Sequence, residues 1–170
     1  MVVALIIPIG AFAVAPVGAA SGLSCTIPQV KVAVSPGLSN VPVANTIAFK
    51  LPLKACKGTP GVTSGTAKGT MVSAKKGTCT SLATAGPFKV TAMVRWSNAK
   101  TSTWTGTATM KVAGGKITSV IAGAVTKGLF SKQLVSTTVS VSLDPTGGSC
   151  TKANPMKRLI VKGTKPFALT

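Results

Sequence analysis

The chain has no His, no Glu and no Tyr, and a single acidic side chain, Asp144, stands against nineteen Lys and Arg in 170 residues. Each absence removes a chemistry. Without His, neither a Ser-His-Asp nor a Cys-His arrangement can be assembled. One carboxylate cannot supply the two acids of a glycosidase, and general acid–base work falls to Asp144 and the lysines alone. A Ser-Lys dyad stays formally open, but no Ser-x-x-Lys element sits in a recognisable context. No Cys pair has the close Cys-x-x-Cys spacing of a zinc or thiol-exchange site, and hard cations lack the carboxylates that hold them. Asp144 itself lies in Asp144-Pro145-Thr146-Gly147-Gly148, which reads as a turn: an Asx oxygen, a fixed φ, then permissive glycines. No enzymatic activity, cofactor, metal or small-molecule substrate is expected.

What is present is period-two alternation. Phe88, Val90, Ala92, Val94 and Trp96 alternate with Lys89, Thr91, Met93, Arg95 and Ser97, and Trp104 to Val112 repeats the pattern beyond a polar break. Such alternation gives each strand one apolar and one wet face, and the short break reads as a hairpin. A loop centred on Lys100 sets Trp96 opposite Trp104 on the buried side. The two indoles are then core residues, the alternative being an exposed platform for sugars. Further strands are expected from Cys25 to Val34, Ile47 to Cys56, Thr66 to Ser73, Ile117 to Val125, Gln133 to Leu143 and Lys157 to Lys162, with a resumption near Phe167. Pro52 cannot donate to a ladder, so its strand is expected at an edge. Gly114-Gly115 is a tight-turn signal. No helical period occurs, so the expected fold is all-β: an antiparallel sandwich or barrel of about seven or eight strands with two disulfides.

Residues 1–20 read as an export signal, apolar from Val2 to Val17 and ending in the small residues Gly18, Ala19 and Ala20. No Lys or Arg precedes the apolar run, so the signal reads as truncated at its start; a retained anchor is the alternative. Residues 21–170 form one β-domain, expected to be secreted or held at the cell envelope. All four cysteines, Cys25, Cys56, Cys79 and Cys150, fall in that domain. An even count in an exported chain implies two disulfides. Three connectivities are possible. Antiparallel pairing of the first two strands brings Cys25 to Cys56, leaving Cys79 for Cys150. Bridges closing loops of those lengths each contribute roughly 3–4 kcal/mol in the chain-entropy model.

The segments Leu53-Lys54-Ala55-Cys56-Lys57-Gly58, Gly65-Thr66-Ala67-Lys68-Gly69-Thr70, Cys79-Thr80-Ser81-Leu82 and Val94-Arg95-Trp96, with Cys150 followed by Leu159-Ile160-Val161-Lys162-Gly163, resemble small exported four-cysteine β proteins common in actinobacteria. The resemblance implies a disulfide-bonded β fold and brings no site residues with it.

The formal net charge is +18. With one acid to pair them, the cations must face water, solution ions or an anionic partner. Lys50, Lys54, Lys89, Arg95 and Lys111 are expected on the wet faces of their strands. They are the candidate contacts for an anionic cell-wall polymer or an anionic lipid surface. Nucleic acid ranks lower, because stacking aromatics are missing beside the charges. The competing reading is a structural or partner-binding domain whose charge serves only solubility. Self-repulsion on this scale weakens the folded state. Moderate salt should therefore raise the melting temperature, as followed by circular dichroism, and a flat response would mean the charges are too dispersed to repel.

Overall fold

Alternation passes directly into burial. From Phe88 to Trp96 every odd step out of the first residue is exposed and every even step is buried, without a break over nine residues. The computed structural model describes residues 22–113 and 116–170. The export signal expected over residues 1–20 and the Gly114-Gly115 turn lie outside the described residues. The strands are β1 (Leu23–Thr26), β2 (Val30–Leu38), β3 (Thr46–Lys57), β4 (Gly65–Ser73), β5 (Phe88–Trp96), β6 (Thr101–Ala113), β7 (Lys116–Gly128), β8 (Leu134–Leu143) and β9 (Met156–Leu169). A short 3₁₀ turn spans Leu82–Thr84.

Each strand from β2 to β9 pairs antiparallel with the next, and β9 returns to β2. The sheet therefore closes into an eight-stranded up-and-down barrel, with β1 as an extra strand between β3 and β9. Closure corrects the expectation for Pro52. Its strand, β3, is not an edge: it pairs with β4 along residues 46–53. On its other side, however, β2 ends its pairing at Ala48 and β1 begins at Lys54. Pro52 falls in that gap, where a missing N–H leaves no ladder bond unmade.

The hairpin register also differs from expectation. Arg95 pairs with Thr101 and Ala92 with Trp104, so the turn is centred on Asn98 rather than on Lys100. Ala99 takes φ +63° there, and the Trp96 N–H donates to Lys100 O at 2.9 Å. Trp96 and Trp104 consequently do not face each other across the hairpin. Phe167 of β9 bridges them instead, its ring centroid 6.5 Å from one indole and 6.4 Å from the other. Phe130 meets Trp96 edge-on at 5.3 Å. Both indoles are 3% exposed, which removes the sugar-platform reading. The Trp96 indole N–H donates to Ser102 Oγ at 2.8 Å.

An eight-stranded barrel is just wide enough to be filled by side chains or to hold one small ligand. Here it is filled. Phe49, Leu51, Met71, Trp104, Val139 and Phe167 leave a cavity of about 20 Å³ between them, room for about one water molecule. Gly106 and Gly123 face each other across β6 and β7, and a Cβ on either would collide with the backbone of the other strand. The interior is apolar and the outer faces carry Lys, Thr and Ser. Barrels that span membranes have the reverse arrangement.

The disulfides are Cys25–Cys56 and Cys79–Cys150, and no cysteine is free. The first ties β1 to β3. The second ties the segment after β4 to the segment between β8 and β9. Two such bridges suit an oxidising, extracellular environment. No helix among the described residues is long and apolar enough to cross a membrane.

Phe167 supports both indoles from one position, so Phe167→Ala should destabilise the fold by about 3–5 kcal/mol, the range for emptying a buried aromatic site. Urea unfolding monitored by tryptophan fluorescence measures this, and a loss below 1 kcal/mol would mean the barrel repacks around the void.

Candidate anion-binding surface

The lone carboxylate is structural. Asp144 follows β8, and its backbone oxygen accepts from the Gly147 N–H at 2.8 Å, closing a turn. Its Oδ1 accepts from the Thr146 N–H at 3.1 Å and from the Thr146 hydroxyl at 2.8 Å, the Asx pattern the sequence suggested. Oδ2 faces two cations: Lys31 Nζ stands 3.0 Å away and Arg158 Nε 3.4 Å. The Asp144 side chain is only 1% exposed, but its two partners are about half exposed. It therefore lies under a thin, wet roof rather than deep in the core. The Lys31 ammonium at hydrogen-bonding distance is the main influence on Asp144. With the Thr146 donors it lowers the pKa from 3.8 to about 2, against the opposing effect of burial.

With Asp144 committed, no other acidic side chain balances the cations, and their placement is uneven. β9, β2, β3, β4 and β5 are consecutive around the barrel. They carry Lys157, Arg158, Lys162 and Lys165, then Lys31, then Lys50, Lys54 and Lys57, then Lys68, and finally Lys89 and Arg95. All of these are exposed. The other three strands carry Lys111, Lys116 and Lys127, each within three residues of a strand end, and β8 carries none. Their outer faces present Thr103, Thr105, Thr107, Ala122, Ser136 and Thr138 instead. The barrel thus has a densely cationic wall and one that is neutral along the middle of its strands.

Within the cationic wall the ladder registers bring three charges together. Lys50 on β3 is directly opposite Lys68 on β4. Lys68 is opposite Met93 on β5, and Arg95, two residues further on, is opposite Thr66. These five residues line one shallow depression. Directly opposed side chains in an antiparallel pair have Cβ atoms about 5 Å apart, and like charges so placed destabilise the pair. No ion pair relieves them, since both ion pairs among the described residues involve Asp144.

Of the five nominated cations, two meet here, Lys50 and Arg95. The other three stand apart, all exposed: Lys54 opposite Thr26 on β1, Lys89 at the far end of β5 opposite Val72, and Lys111 on the neutral wall opposite Thr118. Lys68 was missed. Gly65 and Gly69 break the apolar alternation of its strand, and only the parity set by Ala67 and Met71 could have placed it outward. Among the described residues no group of three or more His, Cys, Asp or Glu comes together. No family model, no curated protein and no solved structure matches the chain.

A carboxylate whose pKa is lowered on folding stabilises the fold above its unfolded value and loses that contribution as the pH falls through its folded one. Asp144 should therefore account for a loss of stability between about pH 4 and pH 2. As the only acidic side chain, it should account for that limb nearly alone, and Asp144→Asn should flatten it in thermal melts recorded across the range. An acid limb that persists in D144N would assign it to some other group.

Proposed function

We propose that the protein is an exported, non-enzymatic binding module of the cell envelope that holds anionic polymer against the wall formed by β9, β2, β3, β4 and β5. One observation carries this reading: five consecutive strands present eleven exposed cations, while the other three strands carry only Lys111, Lys116 and Lys127, each near a strand end. Charge kept only for solubility has no reason to collect on one side, so the uneven placement favours a partner over mere dispersal. The filled interior supports an outer-surface role, because it leaves no chamber for a small ligand. Lysine predominates over arginine, and a flexible, hydrated point charge suits loose attachment along a polymer better than shaped recognition. The two disulfides agree with a protein that works outside the cytosol.

The test compares two triple variants of equal net charge on an immobilised polyanion. Lys54→Gln/Lys157→Gln/Lys162→Gln removes charge from the cationic wall. Lys111→Gln/Lys116→Gln/Lys127→Gln removes the same charge from the neutral wall. The first should elute at clearly lower salt, with the slope of log affinity against log salt reduced by up to about three, one for each lost contact. The second should stay near wild type. Equal loss in both variants would mean that only net charge matters, and release of the wild type at physiological ionic strength would sink the reading.

A further inference from the structure

We infer that the depression ringed by Lys50, Lys68 and Arg95 is a discrete phosphate-binding site within the cationic wall. This inference rests on the polymer-binding reading and names the group on the polymer that the wall engages most closely.

Three features single the depression out. First, the three cations are rooted on three adjacent strands, β3, β4 and β5, and border one concavity with Thr66 and Met93. Adjacent strands lie about 4.8 Å apart, so flexible cationic side chains from all three can converge on one small anion. Second, their donors are unused. Lys50 Nζ, Lys68 Nζ and the Arg95 guanidinium form no hydrogen bond or ion pair with the other described residues. Third, the chain has only two arginines. Arg158 is held by Asp144 and by Thr146, whose backbone oxygen it reaches at 2.6 Å. Arg95 is therefore the one guanidinium free for a ligand, and it stands beside the opposed lysine pair.

The geometry selects among anions. A carboxylate offers two oxygens on one edge and is satisfied by a single guanidinium fork. A phosphate offers oxygens in several directions, so it can take the Arg95 fork on one side and ammonium groups on the others. It also carries up to about two charges when terminal, which better offsets three converging cations. The Thr66 hydroxyl adds a neutral donor at the rim. Binding there relieves the Lys50–Lys68 repulsion, so the site gains from its ligand what its own sequence withholds.

The experiment measures anisotropy of end-labelled polyphosphate and of end-labelled polyglutamate of matched charge, at constant ionic strength, with wild type and Arg95→Lys. The substitution keeps the charge and lies on an exposed position. Wild type should prefer polyphosphate, and R95K should lose about tenfold on polyphosphate, the worth of roughly one charge-assisted hydrogen bond, with little change on polyglutamate. Unlabelled pyrophosphate should displace polyphosphate better than sodium chloride at the same ionic strength. Displacement at equal phosphate concentration identifies a site for the free anion, and displacement only in large excess identifies a site for the polymer; either result carries phosphate recognition. Equal losses on both polymers, or displacement no better than by chloride, would overturn the site and leave the wall reading intact. Failure of wild type to bind either polymer would overturn both.

Discussion

The ladder between β9 and β2 is the constraint on which the rest of this molecule depends. Eight antiparallel strands left open would expose two edges of unpaired backbone. Closure removes both and encloses a core that no second sheet covers. The closing position is filled by two short pieces. β2 pairs with β9 near Met156–Val161, while β1 pairs with its last residues, Phe167–Leu169. Between them the chain crosses at Ile27, whose oxygen accepts from the Gly163 N–H at 3.1 Å. The Cys25–Cys56 bridge fastens β1 to β3 beside this seam, where ladder pairing is sparse.

Much of this was legible in the sequence, and the reason is physical. Strand side chains alternate with a period of two, so Phe88 to Trp96 could hardly sit otherwise once one face was buried. The pairing of Cys25 with Cys56 followed from the same logic of adjacent antiparallel strands. Register was less legible. The Trp96–Trp104 expectation failed by four residues because turn geometry fixes register, and the turn centred on Asn98 is tighter than composition alone announced. Closure was not legible at all. Whether eight strands form a barrel or two stacked sheets depends on whether the last strand meets the first, a contact with no local signature. Pro52 shows the consequence: its missing donor pointed to an edge strand, whereas in the closed barrel it falls between the stretches of β3 that pair with β2 and with β1.

The candidate surface follows from closure in turn. Parity sends Lys50, Lys68 and Arg95 outward, but only the ladder registers bring them to one depression. Lys111 has the same outward parity and lies on the neutral wall. Composition therefore indicated how much charge the surface would carry, and topology determined where it would collect. Lys68 was hidden because Gly65 and Gly69 interrupt the alternation of its strand, leaving only Ala67 and Met71 to show which face is buried.

The fate of the single carboxylate has an environmental consequence. With no His or Glu, and with Asp144 already ionised down to about pH 2, mild acid finds no side chain here to protonate. The protein's own charge is then a constant of its surroundings rather than a variable. In an acidifying medium, only the ionisation of the proposed anionic partner would change how firmly the two are held.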